Sequence, residues 1–217
     1  MSKNEFLEVI ELRNYLLKPN MREKFSYYFA EHFVESQNSR GGYVLGQFSL
    51  QDNPNNFFWV RGFENIKSRS RFLPEFYYGD VWKKFGGEAN EMMLDSDDVY
   101  LLKPVNNEQF FRKHKVMTVD LYFAADGKLD ELIIAFQTDF VRNLKKSTSA
   151  DITLWRSELS ENDFPRLPVF QYENLLAVIC GFENKADHQS NLDKFALQVK
   201  ESKSLITKKE SLIAYEI

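Results

Sequence analysis

One tetrapeptide occurs twice in this chain. Gly62-Phe63-Glu64-Asn65 returns 119 residues later as Gly181-Phe182-Glu183-Asn184, each time closing a short apolar run, Phe57 to Asn65 and Leu175 to Asn184. A run of that length, stopped by glycine and followed by charged residues, reads as a buried strand leading into a helix. Other matches sit at a shorter spacing. Phe33-Val34 pairs with Phe140-Val141 at an offset of 107, and Val9-Ile10-Glu11-Leu12 pairs with Thr118-Val119-Asp120-Leu121 at 109. A longer loop in the second half, Ser160 to Asn174 against Gln51 to Asn56, absorbs the difference. The chain therefore reads as a tandem duplication, a doubled domain and not a solenoid.

Local patterns give each half the same order. Glu8 to Leu17 alternates as a half-buried strand. Asn20 and Glu23 fit a capping box, and Met21, Phe25, Tyr28, Phe29, His32 and Phe33 follow as one helical stripe. Tyr43 to Leu50 and Phe57 to Phe63 read as a hairpin around Asp52-Asn53-Pro54-Asn55. Two helical pieces follow, one ending before Tyr78 and one over Val81 to Met93; Val99 to Leu102 is a fourth strand. In the second half Met117 to Phe123, a helix capped by Asp126, the hairpin strands Ile152 to Leu159 and Leu175 to Phe182, a helix near Ala186 to Val199 with the stripe Leu192, Phe195, Ala196 and Val199, and the strand Leu212 to Tyr215 repeat the order. A βαββαβ half is the split-βαβ, ferredoxin-like arrangement. Its sheet carries helices on one face only, and both strand faces here bear large side chains, so a second sheet is needed to cover the other face. The fold class predicted is α+β: two tandem ferredoxin-like repeats, residues 1–104 and 117–217 joined by a linker at 105–116, forming an intrachain pseudo-dimeric α+β barrel.

Bulk properties exclude several functions. Net charge is −4 with no strongly basic block, which argues against a nucleic-acid partner; Arg112-Lys113-His114-Lys115 reads as solvated linker. Cys180 is the only cysteine, so an internal disulfide and a multi-cysteine zinc site are excluded. The N-terminus lacks a signal-peptide pattern, and no run reaches the roughly 20 apolar residues of a membrane span. A cytoplasmic protein is expected. The 20 Phe and 10 Tyr promise a large aromatic core.

Several spaced motifs within residues 5–104 carry a family resemblance. Glu11-Leu12-Arg13-Asn14-Tyr15-Leu16-Leu17-Lys18-Pro19, Phe76-Tyr77-Tyr78-Gly79-Asp80-Val81-Trp82, Ala89-Asn90 and Asp98-Val99-Tyr100-Leu101-Leu102-Lys103-Pro104 resemble NIPSNAP-domain proteins. The second half follows the family in order of elements and lacks most of these motif residues. The resemblance implies the dimeric α+β barrel superfamily, the fold already reached from the repeat. Some relatives there are cofactor-independent or heme-cleaving monooxygenases.

The repeat is asymmetric where chemistry is expected. Trp59 and Arg61 share a strand face, and their counterparts are the apolar Val178 and Cys180. The candidate ligand-binding residues are Arg13, Tyr15, His32, Trp59, Arg61, Tyr77 and Trp82, set between the two sheets, with no catalytic residue assigned and no metal. A guanidinium offers paired planar donors to an anionic or carbonyl group; the alternative is that Arg61 pairs with Glu11 across the sheet. His32 reads as a core residue, and the heme-binding relatives make it the one heme-ligand candidate. Otherwise no cofactor is expected. Arg69, Arg71 and Glu75 read as a solvated face, and His114 and His188 as surface residues. Tyr77, Tyr78 and Trp82 cluster around Gly79 as a hinged lid or as core packing. Nothing resembles a nucleophile triad or a phosphate loop. Two functions fit: a cofactor-independent monooxygenase acting on a small aromatic or quinol-like molecule, or a non-catalytic binding or interaction module.

Overall fold

The structure, a computed structural model, describes residues 6–106, 114–198 and 200–217, and of residues 139, 192, 194–198, 200 and 201 only the backbone. Arg112, Lys113 and Val199, with the side chains of Leu192, Phe195 and Ala196, lie outside the described residues. Two compact units divide the chain. Unit 1 comprises Met1–Lys103, Glu158–Gln171 and Ile217; unit 2 comprises Pro104–Ser157 and Tyr172–Glu216.

Unit 1 contains β1 (Val9–Leu17), α1 (Arg22–Phe29), a π turn (Ala30–Val34), α2 (Glu35–Asn38), β2 (Tyr43–Leu50), β3 (Asn56–Phe63), α3 (Ile66–Tyr77), α4 (Asp80–Met92) and β4 (Met93–Pro104). Its antiparallel sheet runs β4-β1-β3-β2. Unit 2 contains β5 (Val116–Ala124), α5 (Leu129–Ala135), a π turn (Phe136–Val141), α6 (Arg142–Ser147), β6 (Asp151–Ser157), β7 (Leu175–Phe182), α7 (Lys185–Gln198), a 3-10 turn (Lys200–Leu205) and β8 (Ile206–Glu216). Its antiparallel sheet runs β8-β5-β7-β6. Within each unit the strands thus follow the order fourth, first, third, second.

The repeated tetrapeptide does the same work in both units. Asn65 Oδ1 accepts from the Ser68 N–H at 2.9 Å, and Asn184 Oδ1 accepts from the Asp187 N–H at 2.9 Å. Each asparagine caps the helix that follows. The preceding glycines permit close approach. A Cβ on Gly62 would stand 2.5 Å from Leu7 Cδ1, and one on Gly181 2.5 Å from the His114 ring. The Phe33-Val34 and Phe140-Val141 pairs fall inside the two π turns. Strand pairing corrects the offset of the first strands. Val9 faces Phe63 and Val116 faces Phe182, so Glu11 corresponds to Thr118 at an offset of 107, not 109.

Local expectations differ from the structure in three places. Asn20 takes a left-handed φ of 64° and makes the turn itself, so the N-cap of α1 is Met21, without a side-chain cap. Asp126 does not cap α5, whose N-cap is Lys128 after Gly127 at φ 69°. β4 and β8 are much longer than their apolar cores, because polar residues join the ladders: Asp95 pairs with Leu16, and Lys208 and Lys209 pair with Phe123 and Tyr122.

The core of unit 1 lies between its sheet and its helices. Phe57, Trp59 and Phe63 of β3 pack with Phe25, Phe29 and Phe33 of the first helix and with Phe72 and Phe76 of α3. The polar-aromatic face of β3 therefore meets the helical layer of its own unit. That corrects the placement of Trp59 and Arg61 between two sheets. The reason is bulk: the phenylalanine stripes of α1 and α3 match the aromatic side of the strand. Among the described residues no helix is long and apolar enough to cross a membrane.

Candidate functional site

The site begins with strand parity. Glu11 and Arg13 share one face of β1, and Arg61 and Trp59 stand opposite them on β3. Arg69 arrives from α3, one turn after the Asn65 cap, with its N–H on the Asn65 carbonyl at 3.1 Å. All three guanidiniums reach one carboxylate. Glu11 Oε2 accepts from Arg13 Nη1 at 2.8 Å, from Arg61 Nε at 2.8 Å and from Arg61 Nη2 at 2.6 Å; Oε1 accepts from Arg69 Nε at 2.7 Å. Glu11, Arg61 and Arg69 are 0 % exposed and Arg13 1 %.

Neutral groups take some of the remaining donors. Arg13 Nε donates to the Tyr15 hydroxyl at 3.0 Å, Arg61 Nη1 to Gln37 Oε1 at 2.9 Å and to the Tyr77 hydroxyl at 3.4 Å, and Arg69 Nη1 to Asn162 Oδ1 at 3.1 Å. Arg69 Nη2 and Trp59 Nε1 are buried with no acceptor. The rings of Phe72, Trp59, Phe63 and Tyr77 lie 5.2–5.9 Å from the Arg61 guanidinium, a distance at which their faces attract the cation.

The charges do not balance. Among the described residues these are the only buried charged side chains, three positive and one negative. Burial alone would push the Glu11 carboxyl up, but Arg61, Arg13 and Arg69 outweigh it and hold it well below the usual range. Burial is also the first influence on Arg13, and its neighbours Tyr15 and Glu11 overcome it and raise its pKa. Burial raises Tyr15, with Arg13 opposing, so this phenol stays neutral and supplies no compensating charge. The cluster keeps a net charge of about +2 in a low-dielectric core, where interactions are several-fold stronger than in water.

A pocket adjoins the cluster. It is lined by Tyr15, Gln37, Trp59, Tyr77 and Trp82, with phenylalanines of the first helix and α3 behind them, and its free space is about 20 Å³. Trp82 follows Gly79 at the start of α4 and packs on Tyr77 at 4.7 Å, on Phe33 at 5.3 Å and on Phe76 at 5.7 Å. Tyr77 in turn meets Phe164 at 5.9 Å.

Of the seven residues singled out in the sequence, six assemble here: Tyr15, Trp59, Tyr77 and Trp82 in the wall, Arg13 and Arg61 behind it. His32 does not join them. It stacks on Phe85 at 3.9 Å near the surface and is outside the pocket lining, which corrects its reading as a core residue. Arg61 does pair with Glu11, the alternative the sequence left open, yet it shares that carboxylate with two other arginines. Arg69 is overturned as a solvated residue, whereas Arg71 and Glu75 are exposed. The missed signal was spacing: Ile66, Arg69, Phe72, Leu73 and Phe76 form one helical stripe. Gln37 and Asn162 carried no sequence signal. His188 is buried against Phe182 at 5.0 Å, not on the surface, and His114 is largely buried 3.0 Å from Asp151.

Among the described residues unit 2 has no matching cluster. Strand register and helix offset put Thr118, Asp120, Cys180 and His188 where unit 1 has Glu11, Arg13, Arg61 and Arg69. Asp120 instead takes hydrogen bonds from Tyr122 at 3.2 Å and Ser211 at 2.6 Å. A cavity of about 100 Å³ in unit 2 is lined by Asn106, Gln137, Val141, Ile152 and Leu154, without a charged group. Among the described residues no three His, Cys, Asp or Glu side chains are placed to hold a metal.

The chain is an α+β protein whose fold is shared by solved structures of low sequence identity. Among solved structures, a proposed monooxygenase from Fusobacterium nucleatum is similar to it at 10% identity over 97% of this chain and 92% of that one, TM-score 0.66. An anthrone oxidase-like protein is similar at 7% identity over 97% and 91%, TM-score 0.65. A NIPSNAP-like domain protein from Burkholderia xenovorans is similar at 20% identity over 48% of this chain and 91% of that one, TM-score 0.44. No protein-family model matches the chain, and no curated protein matches it.

Proposed function

We propose that unit 1 binds a small oxygen-bearing aromatic molecule in the pocket beside Glu11, Arg13 and Arg61, and oxygenates it with dioxygen and no cofactor. The observation that carries this reading is the uncompensated positive cluster behind an aromatic wall. A phenol or enol bound there is stabilised as its anion by the neighbouring guanidiniums, and the anion is the form that gives electrons to dioxygen. The names of the two full-length neighbours supply the reaction class. In an anthrone-type substrate a CH2 group becomes C=O while the second oxygen atom leaves as water. The substrate provides all the electrons. Tyr15 and Tyr77 hydroxyls and the Trp59 N–H are the donors available to the substrate oxygen. The pocket must widen to admit such a ring, and Trp82, half-buried at the head of α4, is the side chain placed to swing out.

The same reading takes the chain as a duplication, with residues 1–104 and 117–217 as ferredoxin-like repeats closing on one another as an intrachain α+β barrel in a cytoplasmic protein. Matching strand order and the shared asparagine caps support it.

The second reading, a non-catalytic binding or interaction module, has its own observation: the pocket's free space of about 20 Å³ is that of a packed core. Dioxygen uptake separates the two. Purified protein without added cofactor is mixed with a panel of anthrones and quinols. The enzymatic reading expects uptake and a carbonyl product for one of them, with loss of turnover in Arg61→Met. No uptake above the buffer rate with any of them favours the module.

A further inference from the structure

Glu11 is the single buried carboxylate among the described residues of unit 1, and it faces three buried guanidiniums. A buried charge without a counter-charge is costly, and two remain here. Beside them Trp59 lines the 20 Å³ space, and its Nε1–H has no acceptor. Both the Arg13 and the Arg61 guanidiniums lie over the Trp59 ring, at 5.5 and 5.3 Å.

We propose that this space holds a monatomic anion of the halide class, accepting from Trp59 Nε1 and countering part of the charge on Arg13 and Arg61. Three features agree on that occupant. The sign follows from the count of guanidiniums against carboxylates. The size follows from the space, about 20 Å³, which as it stands matches one particle about as large as water and is smaller than a carboxylate, phosphate or sulfate needs. The wall also fits: Phe25, Phe29 and Phe33 line the space, and an aromatic ring has a positive edge that attracts an anion. A water molecule in the same place would satisfy the indole N–H and leave both charges standing. The inference rests on charge and space and describes the pocket without substrate. A substrate oxygen taking the Trp59 N–H would displace the halide, and the halide titration is run without substrate so that it is decided separately from the oxygenase reading.

The test varies the anion at fixed ionic strength. Thermal unfolding is followed in sodium gluconate progressively replaced by sodium chloride or bromide, and separately in sulfate. Wild type is expected to show a saturable rise in Tm of about 2–4 °C with either halide and none with sulfate. Trp59→Phe keeps the ring and loses the donor, and should lose the rise. Trp155→Phe should keep it, since Trp155 Nε1 already donates to Thr153 Oγ1 at 2.9 Å in unit 2. Crystals soaked in bromide should show an anomalous peak within hydrogen-bond distance of Trp59 Nε1. Equal Tm values in gluconate and halide, or a water in that space with no bromide peak, would overturn the proposal. If Trp59→Phe fails to fold, the wild-type titration and the bromide peak decide it.

Discussion

Arg61 places both Nε and Nη2 on a single oxygen of Glu11, at 2.8 and 2.6 Å, from the position directly opposite on the neighbouring strand. Taken alone, the two side chains would form a neutral buried pair. Arg13 and Arg69 use the same carboxylate, and that sharing converts a structural staple into a positively charged centre.

Removing the carboxylate should therefore hurt far more than removing one cation. Glu11→Gln is expected to destabilise the protein by about 3–5 kcal/mol, because three guanidiniums lose their counter-charge. Arg69→Met, which lowers the net charge while keeping much of the packing volume, should cost markedly less. Urea denaturation of both variants checks the order; an equal or larger loss in Arg69→Met would contradict it.

The same carboxylate sets an acid limit. Its pKa in the folded protein lies below the ordinary value of 4.5. Unfolded chains take up a proton as the pH falls through about 4.5, while the folded chain resists. Stability from this group is fully present above that pH and declines below it, by at most about 1.4 kcal/mol per pH unit. Glu11→Gln should flatten this part of the stability profile between pH 5 and 3. An unchanged acid slope in the variant would show that other carboxylates are responsible.

Much of this was readable from residue spacing, and the remainder failed for physical reasons. Apolar patterning, as alternation in β1 and as uninterrupted runs in β3 and β7, located these strands closely, because each is largely buried. It shortened β4 and β8, whose ends are polar residues held by the ladder and not by burial. The aromatic and arginine residues of β1 and β3 were legible as a shared face. The sheet side they occupy was not, since parity separates two faces without saying which one meets helices. Arg69 was misread because a charged residue in an apolar stripe needs a partner to be buried, and that partner, Glu11, lies 58 residues away. His188, at the equivalent position in unit 2, was misread for a different reason: it is buried without an ionic partner among the described residues, and desolvation lowers its pKa and favours the neutral ring.

The helix caps give a check on the equivalence of the two units. Asn65→Ala and Asn184→Ala should each cost about 0.5–2 kcal/mol, since each removes the acceptor for a first-turn N–H. Chemical denaturation of the two variants should give losses within that range. A negligible effect at either site would break the functional equivalence of the repeated tetrapeptide.

Trp82 offers a handle on the pocket mouth. A Cβ on Gly86 would lie 2.6 Å from Trp82 Cε2, so Gly86→Ala must displace the indole. The expected cost is about 1–3 kcal/mol, with a red shift in tryptophan emission as Trp82 becomes more exposed. Loss of stability without any spectral change would mean that the helix backbone moves and the indole stays.

The proposed chemistry requires the positive cluster to act on a bound oxygen atom. The direct measurement is the absorption spectrum of a hydroxylated anthrone or quinol mixed with the protein about one pH unit below the compound's own pKa. The prediction is a phenolate-type spectrum that saturates at one equivalent of protein and disappears in Arg61→Met, with the variant's far-ultraviolet circular dichroism unchanged. Binding that leaves the compound neutral, or a phenolate signal of the same size in folded Arg61→Met, would contradict it.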